Sequence, residues 1–315
     1  MTVRDFKRDD LPAICEAWNE TWPHIGREPD DVVRDIERLE ERFHPHFLVA
    51  ERDGAFLGFA EALRPIGSFH PQRWTIHLVV LAPHRRQGVG TALYQAAADY
   101  IAPYDPIRIT TSLHEEDEDA QRFAKKRNFV EHKRDFESRL PLDVVDQAVL
   151  EAVEARGLLA GITLASLKEV DSIAMRRAFH QLFEEVRKDV PRSEPPTPMA
   201  FEFFDDEVLG DPSFMPEGTF LALDSTGEPI GFCGVFRSVR DGCVEQWLTA
   251  TRRDWRGQGL AAALKVRGIR WAMANGVQTI LTDNDTRNTH MLAINDRLGF
   301  QRQGAILTVV KDVTA

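Results

Sequence analysis

Short apolar runs along the chain alternate with longer segments whose apolar residues recur at helical spacing. Phe47–Glu51 and Phe56–Glu61 are short apolar runs on either side of Asp53-Gly54, which predicts a β-hairpin with a tight turn. Asp117–Arg127 places its apolar residues on one face at helical spacing. Strands and helices are interleaved in this way to the end of the chain, so the pattern predicts a mixed α/β fold.

The same order of predicted elements occurs twice. Predicted strands of the first half are Thr2–Phe6, Phe47–Glu51, Phe56–Glu61, Trp74–Val80, Ile107–Thr111 and His132–Leu140, and its helices are Asp9–Asn19, Asp30–Glu41, Gly88–Ile101 and Asp117–Arg127. Predicted strands of the second half are Ile162–Ser166, Thr219–Asp224, Pro229–Phe236, Val244–Ala250, Gln278–Thr282 and Ala305–Val310, and its helices are Asp171–Arg187, Gly259–Ala274 and Thr289–Leu298. The sequence therefore predicts two domains, residues 1–142 and 160–315, joined by a connecting helix and linker over residues 143–159.

A glycine-rich segment is repeated at the same place in both halves. RRQGVG begins at Arg85 and RGQGLA begins at Arg256, so a constant offset of 171 residues superposes them. Without a gap, the same offset also aligns Phe129 with Phe300. A single register that spans several predicted elements indicates a duplicated domain.

Composition and charge narrow the function classes. The chain has 315 residues and a net charge of −11, and this acidity argues against general nucleic-acid binding. Its three cysteines show no C-x-x-C spacing, so neither a metal site nor a disulfide framework is predicted. The N-terminus lacks the apolar core of a secretory signal, and no apolar run is long enough to cross a bilayer. We therefore expect a cytoplasmic protein.

Each glycine-rich segment stands between a predicted strand and a predicted helix. The first turn of a helix offers unpaired N–H groups and the positive end of the helix dipole, which together bind phosphate. Glycine lets the backbone approach a pyrophosphate, and a flanking arginine adds charge. The pattern is neither a G-x-x-x-x-G-K-[ST] loop nor a G-x-G-x-x-G fingerprint. Each segment predicts a pyrophosphate cradle, with an ordinary strand–helix turn as the alternative.

These segments resemble a motif of the GNAT superfamily of acyltransferases. The resemblance is carried by LVVLAPHRRQGVGTALYQ, WLTATRRDWRGQGLAAALK and NTHMLAINDRLGF. It implies two tandem GNAT folds, each a mixed sheet splayed between its fourth and fifth strands, with acetyl-CoA in the split. By position, the implied cofactor-binding residues are Val79, Val80, Leu81, Arg85, Arg86, Gln87, Gly88, Val89, Gly90, Thr91, Ala250, Thr251, Arg252, Arg256, Gly257, Gln258, Gly259, Leu260, Ala261, Ala262 and Asn288.

The resemblance also points to catalytic candidates. Glu245 lies on the predicted fourth strand of the second copy, where some members of the family carry a glutamate base. Its alternative is an exposed carboxylate at the strand end. By the offset the first copy has Trp74 there, which cannot act as a base, and His77 is a weaker candidate expected on the other face of the strand. Asn295 stands where many members have a tyrosine acid, and it could orient a water molecule or pack the helix.

The leading hypothesis is an acetyl-CoA-dependent N-acetyltransferase that acts on an amine of a small molecule or peptide, with catalysis favoured in the second copy. The missing tyrosine motivates the alternative, a non-catalytic CoA-binding protein with degenerate domains. We expect no metal, no membrane and no nucleic-acid partner, and a monomer is preferred over a homodimer. Loops around Trp22–Asp30 and Pro191–Asp211 are expected to form acceptor pockets.

Overall fold

A computed structural model describes residues 1–22, 26–38, 41–156, 160–192 and 194–313 of the chain. The chain divides into two compact units. Unit 1 comprises Met1–Arg134 together with Ala305–Ala315, and unit 2 comprises Asp135–Gly304. Residues 23–25 and 193 of the predicted acceptor loops, and part of the predicted linker at 157–159, lie outside the described residues.

Unit 1 contains a mixed sheet with the strand order β1-β2-β3-β4-β5-β12. Its strands are β1 Thr2–Asp5, β2 His46–Arg52, β3 Ala55–Leu63, β4 Arg73–Val80, β5 Arg108–His114 and the unit 1 part of β12 Gln301–Asp312. Its helices are α1 Leu11–Thr21, α2 Pro29–Arg38, α3 Val89–Ile101 and α4 Glu118–Lys125. Strands β4 and β5 pair in parallel, whereas the other neighbours pair antiparallel.

Unit 1 forms around its amphipathic first helix. Leu11, Ile14 and Trp18 lie on one face of α1 and pack on the sheet beside Phe47 and Phe59. The predicted β2–β3 hairpin is present, and its turn residues Asp53 and Gly54 both have positive φ angles, 52° and 80°. This turn matches the twist of the paired strands, which is why the Asp-Gly pair predicted it correctly.

Unit 2 repeats this plan with the strand order β6-β11-β10-β9-β8-β7. Its strands are the unit 2 part of β6 Val130–Pro141, β7 Thr163–Ser166, β8 Phe220–Leu223, β9 Pro229–Arg237, β10 Cys243–Thr251 and β11 Thr279–Asp285. Its helices are α5 Gln147–Ala155, α6 Leu167–Val170, α7 Ile173–Val186, α8 Phe201–Phe204, α9 Leu260–Ala274 and α10 Thr289–Leu298. Strands β10 and β11 pair in parallel, as β4 and β5 do in unit 1.

The last strand of each repeat is exchanged. Within unit 1, β12 pairs with β5 from Ile306 opposite His114 to Asp312 opposite Arg108. Within unit 2, β6 pairs with β11 from Pro141 opposite Thr279 to Asp135 opposite Asp285. The sequence prediction closed each copy with its own last strand instead. The pattern of a strand specifies which face is buried but not which partner it joins, so the exchange was not visible in the pattern.

No helix within the described part of the chain is long and apolar enough to cross a membrane.

Candidate functional site

The parallel strands β4 and β5 of unit 1 separate partway along their length. They pair only from Arg73 to Thr75 on β4, opposite Arg108 to Thr110 on β5. Beyond Thr75 the two strands form the walls of a cavity of about 360 Å³. The cavity is lined by β4, the start of α3, the end of β5 and helix α4. The predicted splayed sheet is therefore an open cleft in unit 1.

One end of this cavity is the predicted pyrophosphate loop of unit 1. Gly88 caps the N-terminus of α3 with a φ of 86°, and a Cβ added there would meet no atom within 4 Å. Arg85 donates from Nε to the carbonyl oxygen of Val80 at 3.1 Å, which folds the loop back onto the strand end. The open space above Gly88 and the unpaired N–H groups of the first helical turn form an anion-binding concavity.

Unit 2 has a loop of the same geometry. Gly259 caps α9 with a φ of 83°, and Arg256 donates from Nε to the carbonyl oxygen of Thr251 at 3.1 Å. Gly257 has a φ of 75°, whereas the equivalent residue of unit 1, Arg86, adopts a φ of 62°. The two loops thus share their backbone conformation and the same arginine hydrogen bond. Because only glycine adopts positive φ without strain, this shared conformation explains most of the repeated motif.

Carboxylates neutralise the loop arginines in both units. In unit 1, Arg86 pairs with Asp119 at 2.8 Å. In unit 2, Asp189 pairs with Arg256 at 2.5 Å and also with Arg253. Hydrogen bonds from these arginines hold the pKa of Asp189 well below its usual range, and the bond from Arg253 has the largest effect. This carboxylate is therefore charged at neutral pH. A bound pyrophosphate would compete with these carboxylates for the arginines.

The far end of the unit 1 cavity carries polar side chains. His77 on β4 lines the cavity, opposite Glu61 on β3. The buried Glu61 carboxylate accepts a hydrogen bond from Arg27 at 3.0 Å, and the Arg27 guanidinium lies 3.8 Å from the centre of the Trp18 ring. Trp18 also contacts His77 edge to face at 5.3 Å. Burial lowers the pKa of His77, which keeps the imidazole neutral at pH 7.

Glu245 lies on β10, the strand of unit 2 that corresponds to β4. It is the last residue of β10 that pairs with β11, opposite Leu281, and its half-buried carboxylate accepts a hydrogen bond from the Ser238 hydroxyl at 3.0 Å. A neighbouring β-bulge changes the alignment of the two copies. Gly234 on β9 stands opposite both Trp247 and Leu248, so β10 carries one additional residue there.

This bulge corrects the predicted equivalence of the fourth strands. The residue of unit 1 that ends the parallel pairing is Thr75, so Thr75 and not Trp74 occupies the place of Glu245. Trp74 is fully buried and contacts Tyr100 and Tyr104. The gapless offset of 171 residues failed here because the additional residue in β10 shifts the alignment of the β10 residues that precede it by one position. Threonine, like tryptophan, cannot act as a general base, so unit 1 has no base at the position equivalent to Glu245.

The two predicted asparagines of unit 2 have defined structural contacts. Asn288 is the N-cap of α10, and its side chain accepts a hydrogen bond from the Met291 N–H at 3.3 Å. Asn295 lies inside α10, is only 1% exposed, and donates to the side chain of Asn284 at 2.5 Å. Their proposed roles toward the cofactor and the reaction stay predictions.

Predicted and unpredicted residues meet in the unit 1 cavity. The predicted residues on its wall are Val79, Val80, Arg85, Arg86, Gly88, Gly90 and Thr91. Val89 is buried in the core instead, and Leu81 packs against the α1 cluster. Sequence analysis missed Tyr94 on α3 and residues 111–114 of β5, which also form the wall. The splay itself was the signal for these positions, since the wall facing β4 must come from β5 and the helices beside it.

In the described part of the chain, no three His, Cys, Asp or Glu side chains converge in a way that could hold a metal ion.

Comparison with known proteins gives one family and a set of relatives. The model of the acetyltransferase (GNAT) family matches residues 11–129 and again residues 178–300. A mycothiol acetyltransferase of Saccharopolyspora erythraea is 27% identical over 285 residues, which cover 86% of this chain and 88% of that protein. A mycothiol acetyltransferase of a Parafrankia species is 25% identical and covers 82% of this chain and 80% of its own.

Solved structures share the fold over the whole chain. A tandem GNAT protein from the clavulanic acid biosynthesis pathway has a TM-score of 0.75 with 17% identity, and covers 100% of this chain and 99% of its own. A GCN5-related N-acetyltransferase from Sphaerobacter thermophilus has a TM-score of 0.71 with 21% identity, and covers 100% of this chain and 96% of its own.

Proposed function

Because the chain belongs to the acetyltransferase (GNAT) family, and so transfers an acetyl group from acetyl-CoA to an amine, we propose that this transfer takes place in the open cleft of unit 1. One observation carries the proposal. A single cavity joins the anion-binding loop at Gly88 to the neutral imidazole of His77. One cavity can therefore hold the pyrophosphate end and the acyl end of an acyl-CoA together with the acceptor.

Acetyl-CoA binding is assigned to the residues at each loop. In unit 1 the pyrophosphate lies against residues 85–91, and the pantetheine follows residues 79–81 of the strand end. Beyond Thr75, β4 has no parallel partner, so its edge is available for hydrogen bonds to the pantetheine and the thioester. In unit 2 the corresponding segments are residues 256–262 and 250–252, with Asn288 nearby. Unit 2 therefore offers a second, separate cofactor site.

His77 is the base of the proposed reaction. The amine nitrogen attacks the thioester carbonyl carbon, the C–N bond forms, and the C–S bond breaks. The proton of the amine passes to His77, and coenzyme A leaves as the thiolate. A base in this role contributes roughly 10²- to 10⁴-fold in rate. Glu61 binds Arg27, and Arg27 packs on the Trp18 ring that contacts His77, so Glu61 and Arg27 position the imidazole without touching the reacting atoms.

Glu245 gives a second candidate for catalysis, in unit 2. Its carboxylate lies where the parallel strands begin to separate and is fixed by Ser238. With the base Glu245, unit 2 would carry out the same transfer at its own loop. Catalysis in unit 1 and catalysis in unit 2 are distinguished by whether the substitution of His77 or that of Glu245 abolishes turnover.

The acceptor is proposed to be a small-molecule or peptide amine and not a nucleic acid, since the chain carries a net charge of −11. The relatives named mycothiol acetyltransferase make mycothiol-related amines the first acceptors to test.

Release of coenzyme A thiol from acetyl-CoA with a panel of amines tests the proposal. We expect turnover with at least one amine, a loss of at least 100-fold in His77→Gln, and little change in Glu245→Gln. The reverse ranking would move catalysis to unit 2. Absence of turnover and of acetyl-CoA binding would overturn the assignment of the cleft.

A further inference from the structure

The wall of the split differs in chemistry between the two units. Gln246 and Ile76 are equivalent because each is the first residue beyond the parallel pairing. The offset of 171 residues pairs three further wall positions of unit 1 with residues of unit 2. Tyr94, Leu113 and Ala124 line the unit 1 cavity, and their counterparts are Lys265, Asn284 and Asn295. A largely apolar wall in unit 1 is thus replaced by four polar side chains in unit 2.

The four polar side chains of unit 2 form two bonded pairs. Lys265 is 1% exposed, and its ammonium donates a hydrogen bond to Oε1 of Gln246. The same ammonium lies 5.0 Å from the centre of the Phe300 ring, the counterpart of the cavity residue Phe129. Lys265 therefore points into the part of unit 2 that corresponds to the cavity. Asn295 and Asn284 form the second pair.

This cluster is incomplete as it stands. Nε2 of Gln246 and Oδ1 of Asn295 are buried without an oxygen or nitrogen hydrogen-bond partner among the described residues, and Nε2 of Gln246 has the Cys233 thiol as a weak neighbouring partner. Burial lowers the pKa of Lys265 to about 8, and only the Cys233 side chain opposes this effect. Lys265 is still mostly protonated at pH 7, yet within the described ranges it forms no ion pair with a carboxylate. A buried ammonium without a counter-charge, next to an amide N–H donor whose partner is a weakly accepting thiol, is costly in free energy.

We propose that Lys265 and Gln246 form a subsite for a carboxylate in the split of unit 2, and that the carboxylate is that of the acyl group of a dicarboxylic acyl-CoA. A carboxylate would supply the missing counter-charge and accept from Nε2 of Gln246. Gln246 lies at the apex of the split, farthest from the Gly259 loop, which is where an acyl group extends when the pyrophosphate lies at the loop. This inference goes beyond the acetyl transfer in unit 1 and rests on cofactor binding at the second loop.

Calorimetric titration with succinyl-CoA and butyryl-CoA tests the subsite, because these ligands differ by the terminal carboxylate. In the wild-type chain we expect one site that prefers succinyl-CoA by about 10-fold or more, the usual effect of a charged hydrogen bond. Lys265→Met should reduce this preference to near one, and so should Gln246→Leu. The exposed Lys168 provides the control, since Lys168→Met should keep the full preference.

Three results would overturn the inference. The first is an equal affinity for both acyl-CoAs in the wild-type chain, and the second is a preference that survives in Lys265→Met, provided that thermal unfolding shows the variant to be folded. The third is Lys265-dependent binding of free succinate without any preference for succinyl-CoA, which would place the carboxylate on another ligand. Failure of the unit 1 proposal gives a different result, because coenzyme A release would then be unchanged in His77→Gln, while the preference for succinyl-CoA would still depend on Lys265.

Discussion

The two units share the same loop conformation but differ in the side chains that line the split between their parallel strands. In both units a glycine with positive φ caps the helix, and an arginine Nε bonds to the strand end at 3.1 Å. Behind the loop, unit 1 has an open cavity with Ile76 and Tyr94, whereas unit 2 has Gln246 bonded to a buried Lys265. The loop is constrained by backbone conformation and phosphate geometry, while the wall is free to adapt to the acyl group and acceptor.

The largest expected effect concerns the base. His77→Gln should lower kcat/KM by roughly 10²- to 10⁴-fold, because the glutamine side chain cannot take the proton of the amine. In the wild-type chain, burial lowers the pKa of His77 from 6.5, so kcat/KM should rise with pH below 6.5 and be flat above it. Steady-state rates from pH 5 to 8 measure both. A loss confined to Glu245→Gln would make unit 2 the active one and reverse the comparison.

The next effect concerns the buried lysine. The pKa of Lys265 is about 8 in the folded chain and 10.5 when unperturbed. The unfolded chain therefore binds more protons between these values, so folding stability should gain roughly 3 kcal/mol as pH rises from 8 to 10.5. Urea unfolding of the wild-type chain and of Lys265→Met at several pH values isolates this term as a difference. Identical pH dependence of both chains would contradict an uncompensated ammonium in the folded state.

A smaller effect is expected at the two helix caps. Gly88→Ala and Gly259→Ala should each destabilise the folded chain by about 1 kcal/mol, because alanine is strained at φ near 85° while its Cβ meets no atom. Each variant should also weaken acetyl-CoA binding at its own unit only. Titration of acetyl-CoA separates the two sites. Loss of both sites in a single variant would show that the clefts are not independent.

The smallest effect concerns the one loop position where the copies differ in strain. Arg86 adopts a φ of 62°, at the place where unit 2 has Gly257. Arg86→Gly should relieve backbone strain by less than about 1 kcal/mol while removing the ion pair with Asp119. Differential scanning calorimetry at low and high salt separates the two terms, since only the ion pair is screened by salt. A clear loss of stability at high salt would contradict a strained arginine.

Sequence analysis predicted the features that local chemistry dictates. The Asp53-Gly54 turn and the two glycine-capped helices were predicted and are present. These depend on backbone conformation at single residues or on short periodic patterns. The family resemblance implied the splayed strands, which are present in both units, and it assigned the loops to a cofactor; periodicity alone could do neither.

The rest depends on contacts between residues far apart in the sequence. Because of the bulge at Trp247 and Leu248, the unit 1 equivalent of Glu245 is Thr75. Nothing in the local pattern of β10 marks an additional residue. Lys265 lies on a helix rich in alanine, where a lysine would ordinarily be expected on the exposed face. Only the folded structure shows it buried against Gln246. The register of paired strands and the burial of a charge are tertiary properties.

The exchanged strands also determine when each unit can be finished during synthesis. Unit 1 needs the segment from Ala305 onward to cover the edge of β5, and that segment is translated after the whole of unit 2. The amino-terminal unit therefore cannot complete its sheet while the ribosome is still making the second repeat. Unit 2 is cut off from β6 if the gene is split between the repeats, so neither half of the coding sequence encodes a self-sufficient sheet.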